Sequence, residues 1–240
     1  LASQGKTVLY FSTNEKLIGM IAAMDTIKET SYKAIEALNK KNIDVYMLTG
    51  DNKIVAECIG QMLGIKNIIA EVLPADKEKV VASLQDEHKK VAFVGDGIND
   101  SPALVKADVG IAIGSGTDVA IESADIVLIK NNLQDVVTAI ELSKATINNI
   151  KMNLFWAFFY NIIGIPLAAG VFYHAFGLKL SPMIGAAAMS FSSICVVTNA
   201  LRLRYFKSSF EKENKKERKM MEFEKQRFEQ MLNEINEDMK

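Results

Sequence analysis

The chain has 240 residues, with 28 Lys+Arg against 29 Asp+Glu and a formal net charge of −1. That balance supplies no basic field for nucleic acid, and its two cysteines, Cys58 and Cys195, are too few and too far apart for a disulfide framework or a zinc site. Mean hydropathy is +0.11 although 24% of residues are charged, which requires apolar and charged residues to be segregated along the chain.

From Leu1 to about Thr146, short apolar runs alternate with amphipathic stretches. In chain order the pattern predicts strands at Val8–Phe11 and Ile18–Met24, a helix at Glu29–Lys40, a strand at Val45–Leu48 and a helix at Lys53–Leu63. There follow a helix at Asp76–Glu87, a strand at Val91–Val94, a short helix at Ser101–Lys106, and strands at Val109–Ile113 and Ile126–Ile129. Alternation of this kind implies an α/β Rossmann-like layer with a parallel sheet and helices on its faces. Ligands of such sheets bind beyond the carboxyl ends of the strands, here the loops after Leu48 and Val94.

Three strings near those loops carry chemistry. In VGDGINDSPAL, Val94 to Leu104, Gly95 and Gly97 permit a sharp turn, and Asp96, Asn99 and Asp100 bring hard oxygen donors together. Neighbouring carboxylates repel unless a cation lies between them, and oxygen donors select Mg²⁺; the plainer alternative is an Asp/Gly-rich structural turn. In MLTGDN, Met47 to Asn52, the Thr49 hydroxyl and the amides of Gly50 and Asp51 open a helix whose N-terminus favours phosphate, although Thr-Gly-Asp turns are common. In LPADKEKV, Lys77 lies on the first turn of a helix, either neutralising phosphoryl charge or simply solvated.

Between Lys151 and Arg202 the only formally charged side chain is Lys179. Met152–Phe176 and Leu180–Leu201 are each long enough to cross a hydrocarbon core of about 30 Å, and read as a transmembrane hairpin turning at Gly177-Leu178-Lys179; a buried core hairpin is the alternative. Ser181-Pro182 suits the start of the second helix. Lys144 and Lys151 before the pair, and Arg202, Arg204 and Lys207 after it, place both ends in the cytoplasm. Asp135–Lys151 reads as a helix that meets the bilayer without a flexible linker. Within the spans Tyr160 and Asn161 adjoin, and Met189, Ser192 and Ser193 lie at similar depth, with Met189 and Ser193 on one helix face. A thioether suits Cu(I) and is poor for Mg²⁺ or Ca²⁺; the Gly185, Ala188 and Ser192 stripe offers helix packing instead. Pro166 is expected to kink the first span, while His174 at the outer turn, Cys195 and Cys58 read as interfacial or packing residues. From Ser208 to Lys240 a Lys/Glu-rich stretch with Phe228, Leu232, Ile235 and Met239 at helical spacing predicts a charged helical tail, either solvated or partner-binding.

The three cytoplasmic strings, continuing through DVGIAIGSGTDVAIESADIVL at Asp108 to Leu128, resemble the haloacid-dehalogenase-type phosphorylation domain of P-type ATPases. FFYNIIGIP and AAAMSFSS look like late membrane helices of the copper-transporting members. The resemblance implies an ATP-driven Cu(I) exporter of the cell membrane, multi-pass, in which ATP phosphorylates an aspartate and the acyl phosphate is then hydrolysed. It implies that Asp96 and Asp100 hold Mg²⁺, that Asn99 supports the metal and phosphoryl group, and that Thr49, Gly50, Asp51 and Lys77 form the phosphoryl and nucleotide site, with Asp25 nearby. Tyr160, Asn161, Met189 and Ser193 would hold the transported Cu⁺, with a copper chaperone and the upstream domains as partners. Residues 1–146 would be the C-terminal part of the phosphorylation domain, 147–205 the membrane pair and 206–240 a cytoplasmic tail. The family's nucleophile stands in a DKTGT string, which does not occur between Leu1 and Lys240. The expectation is therefore a C-terminal portion of a longer pump, unable by itself to form the phosphoenzyme. A pump for Ag⁺ or for Zn²⁺/Cd²⁺, a tethered phosphatase, and a truncated non-enzymatic membrane protein are the rival readings.

Overall fold

The computed structural model describes residues 6–23, 26–96, 98–114, 118–170, 177 and 182–238. Asp25, Gly97, His174, Lys179 and Ser181, each singled out from the sequence, lie outside the described residues, as does the side chain of Met189. The chain divides into two compact units, Leu1–Val137 and Thr138–Lys240.

The first unit opens with β1 (Thr7–Ser12) and β2 (Leu17–Ala23), which pair antiparallel with Thr7 opposite Ala23. The expectation of parallel strands throughout fails here. Residues 13–16 alone join the two, whereas a parallel crossover needs a dozen or more residues. The Thr13 amide and hydroxyl close the turn by donating to the Lys16 carbonyl at 2.9 and 3.3 Å.

Beyond this hairpin the parallel pattern holds. Helix α1 (Glu29–Lys40) buries Ala34, Ile35 and Leu38, the one-face spacing of an amphipathic helix. Strand β3 (Tyr46–Leu48) leads to α2 (Lys53–Leu63), whose first turn is capped by Asn52 Oδ1 accepting from the Ile54 amide at 2.8 Å. Gly64 closes α2 in the left-handed conformation, φ 69°. The sequence did not announce β4 (Asn67–Ile69), which runs parallel to β3 with Tyr46 opposite Asn67. Three residues beginning at an asparagine give neither alternation nor an apolar run.

After a 3₁₀ turn at Pro74–Asp76, α3 spans Lys77–Asp86, so the helix starts one position later than expected. Then come β5 (Ala92–Gly95), a 3₁₀ turn at Ile98–Asp100, α4 (Ser101–Lys106), β6 (Val109–Ile113), α5 (Asp118–Ser123) and β7 (Ile126–Leu128). Strands β5, β6 and β7 form one parallel sheet with β6 central, and Gly110 to Ile113 of β6 are buried. A Cβ on Gly110 would stand 2.5 Å from the Leu104 carbonyl oxygen, so a glycine is what lets α4 settle on the sheet. Leu104, Val81 and Val137 are the largest fully buried side chains of this core.

Helix α6 (Gln134–Ala168) runs unbroken for 35 residues, from the charged approach into the apolar stretch, and is long and apolar enough to cross a bilayer. It carries Pro166 close to its end and closes before Gly170, whose φ is 78°. Residues 171–176 of the expected span lie outside the described residues. In the second unit, α7 (Pro182–Leu201) is 20 residues without a formal charge, followed by a 3₁₀ turn at Arg202–Tyr205. The tail forms α8 (Ser209–Asp238). Ser208 Oγ caps it by accepting from the Glu211 amide at 3.2 Å, and the Ser209 amide and hydroxyl donate to the Glu141 carboxylate of α6 at 2.9 and 2.8 Å. Ser208 and Phe210 are buried there, which fixes the root of the tail to α6.

Candidate functional site

The loops after β3 and β5 are built differently. After β3, the Thr49 hydroxyl donates to Asp51 Oδ2 at 2.7 Å and accepts from the Asp51 amide at 3.1 Å, a closed turn of the kind short hydroxyl side chains favour. The loop after β4 braces it: the Thr49 amide donates to the Ile69 carbonyl, the Val72 amide to the Thr49 carbonyl and the Glu71 amide to the Asp51 carbonyl, all at 3.0–3.1 Å. Gly50 is exposed at the tip. Thr49, Gly50 and Asp51 thus form one rigid, water-facing turn immediately before the N-terminus of α2.

After β5 the chain turns back on itself. Asp100 is buried, and its Oδ1 accepts from the ammonium of Lys77, on the first turn of α3, at 2.6 Å. Their side chains retain only 10% and 20% of their exposure, so the ion pair is largely withdrawn from water. Gly95 makes this possible: a Cβ there would lie 2.7 Å from Asp100 Oδ2 and 2.8 Å from Asp100 Cβ. The next residue adds an unusual feature, since the Ser101 hydroxyl is buried without a hydrogen-bond partner among the described residues. Asp96 and Asn99 are exposed at the strand end.

Of the residues expected at the site, then, the structure joins Lys77 to Asp100 and Thr49 to Asp51, and leaves Asp96 and Asn99 open to solvent. Among the described residues no three His, Cys, Asp or Glu side chains gather to hold a metal. Two carboxylates and an amide oxygen, next to a hydroxyl unpartnered among the described residues, are nevertheless the hard donors that fit Mg²⁺, which takes one or two carboxylates and completes its shell with water and phosphate oxygens.

In the apolar helices, Asn161 of α6 donates from Nδ2 to the Ala157 carbonyl at 2.7 Å, and Tyr160 beside it is 37% exposed. On α7, Ser192 is half-buried and Ser193 exposed. The sequence reading overlooked a second polar group. Asn149 Nδ2 donates to the Asn199 carbonyl at 2.7 Å, Asn153 Nδ2 to Asn149 Oδ1 at 3.2 Å, and Asn199 Nδ2 to Asn153 Oδ1 at 2.8 Å. The signal was present, an Asn pair four residues apart leading into an apolar helix with a third Asn at the end of the next, but it concerned contact between helices.

A family model described as a haloacid dehalogenase-like hydrolase matches residues 1–108. The chain is 54% identical over 201 residues to the probable copper-transporting ATPase PacS of Synechocystis sp., covering 84% of this chain and 27% of that protein. To the copper-exporting P-type ATPase of Vibrio cholerae serotype O1 it is 53% identical over 210 residues, 88% of this chain and 23% of that protein. A crystal structure of a zinc-transporting PIB-type ATPase in an E2·Pi state is similar with a TM-score of 0.69 at 39% identity, covering 84% of this chain and 32% of that one. The chain spans about a quarter of the length of the curated relatives it matches.

Proposed function

We propose that the chain is the phosphoryl-handling and late membrane portion of a heavy-metal P-type ATPase, a copper(I)-exporting pump. The buried Lys77–Asp100 pair at the carboxyl end of β5 is the observation that carries the catalytic half of this reading. An ammonium held at 2.6 Å by a carboxylate is kept oriented, and it can share its remaining protons with phosphoryl oxygens as they arrive. The Thr49 hydroxyl and the amides after it would hold the same phosphoryl group from the β3 side, where the N-terminus of α2 favours negative charge. Asp96, with Asp100 and Asn99, would hold Mg²⁺, which when bound offsets the charge of the transferring group. The acceptor aspartate is supplied from outside residues 1–240, since no DKTGT string lies within them. Phosphorylation by ATP forms the acyl phosphate, and its hydrolysis resets the pump.

The membrane half of the proposal assigns α6 and α7 to two spans of a multi-pass protein of the cell membrane, with residues 1–146 and 206–240 on the cytoplasmic side. Tyr160 and Asn161 with Met189 and Ser193 would receive Cu⁺, delivered by a chaperone. A soft thioether in helices without formal charge supports copper over zinc, and leaves copper and silver alike. The test is phosphoenzyme formation in membranes carrying the whole protein, with labelled ATP and Mg²⁺. The expected result is a hydroxylamine-sensitive band that requires Cu(I) or Ag(I) and is lost on Met189→Ala. A band driven by Zn²⁺ and untouched by that substitution would reassign the pump to zinc.

A further inference from the structure

We propose that Asn149, Asn153 and Asn199 form a hydrogen-bonded clamp that sets the axial register of α7 against α6. The bonds form a circuit: Asn199 donates to Asn153, Asn153 to Asn149, and Asn149 back to the main-chain carbonyl of Asn199. That carbonyl belongs to the last turn of α7, where four carbonyls have no partner within the helix. Asn149 therefore caps one helix from the side of another. Asn199 Oδ1, the acceptor the circuit leaves over, takes a bond from the Arg202 guanidinium at 3.3 Å. Within the circuit each asparagine donates once and accepts once, so no single side chain can leave without stranding another.

The burial pattern agrees. On α6 the half-buried positions 149, 153 and 157 recur at helical spacing among exposed neighbours, and on α7 so do 192, 196 and 199. The clamp residues fall on these stripes, and apolar stripes alone do not fix register, because sliding by one turn exchanges one apolar contact for another. Polar groups in a low-dielectric setting are different: a slip of one turn, about 5.4 Å, breaks both interhelical bonds of the circuit at once and leaves the Asn153–Asn149 bond within α6 unsupported.

The register matters through what lies beyond the clamp, and this step rests on the copper reading above. With the ends tied and only residues 169–181 connecting them, the helices run antiparallel. Asn161 stands about 12 Å beyond Asn153, while Ser193 and Met189 stand about 9 and 15 Å beyond Asn199. The clamp thus sets Tyr160 and Asn161 at the depth between Ser193 and Met189, where four donors can meet one ion. Asn149, Asn153 and Asn199 are positioning residues that touch no ion themselves.

The test is made in the whole pump with Cys195→Ser and the facing pair Ala157→Cys and Val196→Cys, one turn beyond the clamp on each stripe. Iodine oxidation is expected to form the disulfide, and adding Asn199→Ala or Asn149→Ala to cut its yield severalfold. With the native cysteine and no added pair, either alanine variant should raise the metal concentration for half-maximal phosphoenzyme about tenfold, the scale of one or two interhelical hydrogen bonds. Phosphorylation by inorganic phosphate, which needs a folded cytoplasmic unit and no metal, should be unchanged. Asn153→Ala combined with Asn199→Ala should be no worse than either alone, since both open one circuit. Cross-linking indifferent to all three substitutions overturns the clamp, as does simple additivity of the double variant. If cross-linking responds while no metal drives phosphorylation of the unsubstituted protein, the clamp stands and the copper reading falls.

Discussion

A lysine meets an aspartate at each end of the β5–β6 pair, at nearly the same distance and with opposite consequences. At the carboxyl end, Lys77 and Asp100 lie 2.6 Å apart with side chains 20% and 10% exposed. At the amino end, Lys90 and Asp108 lie 2.7 Å apart, with the lysine 89% and the aspartate 25% exposed. Asp108 also accepts from the Val91 amide at 3.0 Å and from Gln85 at 3.1 Å, so it ties α3, β5 and β6 together at their base. Water already solvates Lys90 and would replace Asp108 as its partner at little cost. Asp100 has no such substitute. Its charge is balanced chiefly by Lys77, beside a buried hydroxyl with no partner among the described residues. Under the proposed function a pair held in that way would respond to an arriving phosphoryl group, while the exposed pair would only hold the frame.

The sharpest way to break the contrast is to remove one cation from each end. Lys77→Ala strands a buried carboxylate and is expected to cost on the order of 3 kcal/mol of stability, together with a fall of about 10²–10³-fold in phosphoenzyme formation. Thermal melting and labelling with ATP measure the two. The corresponding Lys90→Ala should leave phosphoenzyme formation intact. If the two substitutions behave alike, the carboxyl-end pair is structural and the proposed role of Lys77 is wrong. Gly95→Ala comes next. Its Cβ would collide with Asp100, and overpacking of this kind costs about 1–3 kcal/mol. Because it moves Asp100 without removing any charge, its labelling defect should exceed what its loss of stability accounts for.

The placement of the candidate residues at this end of the molecule could be read from the chain, because they stand in contiguous strings. VGDGINDSPAL stands directly after a strand, LPADKEKV starts a helix, and Lys77 lies where expected, on its first turn. What the sequence did not reveal depends on partners distant along the chain. The Lys77–Asp100 bond spans 23 residues, and the Asn149 to Asn199 bond spans 50. Strand β4 escaped notice because its three residues gain their strand character from β3 alone. The β1–β2 hairpin was misjudged as part of a parallel layer because periodicity marks a strand without giving its direction; the short 13–16 connection carried that information.

The turn after β3 offers a milder test of whether rigidity there serves the site. Asn52 caps α2, and Asn52→Ala should cost about 1 kcal/mol, as loss of a helix cap usually does. If the Thr49–Asp51 turn holds phosphate through a well-formed α2 terminus, the variant should also weaken protection of the chain by ATP against proteolysis. An unchanged nucleotide effect would show that the turn is braced by β4 alone.

The smallest expected effect, and the most diagnostic in its pH dependence, belongs to Asp108→Asn. The Lys90 ammonium first, then the Val91 amide and Gln85, hold the Asp108 carboxyl well below the usual carboxylate range, and Asp108 in turn raises Lys90. An acid whose folded pKa is depressed contributes stability that is fully present above its ordinary value, near 4, and is lost as pH falls through the folded value. Asparagine keeps the shape and can still accept from Val91, but it does not titrate. The melting temperatures of Asp108→Asn and the unsubstituted protein should therefore differ slightly at neutral pH and begin to converge as pH falls below about 4. Because Lys90 is almost fully exposed, added salt at neutral pH should shrink the same difference. A gap that persists in acid and in salt would mean that Asp108 acts through its hydrogen bonds to Val91 and Gln85 and not through its charge. The contrast between the two ends of the sheet would then lie in which groups are bonded, and not in how the two ion pairs are solvated.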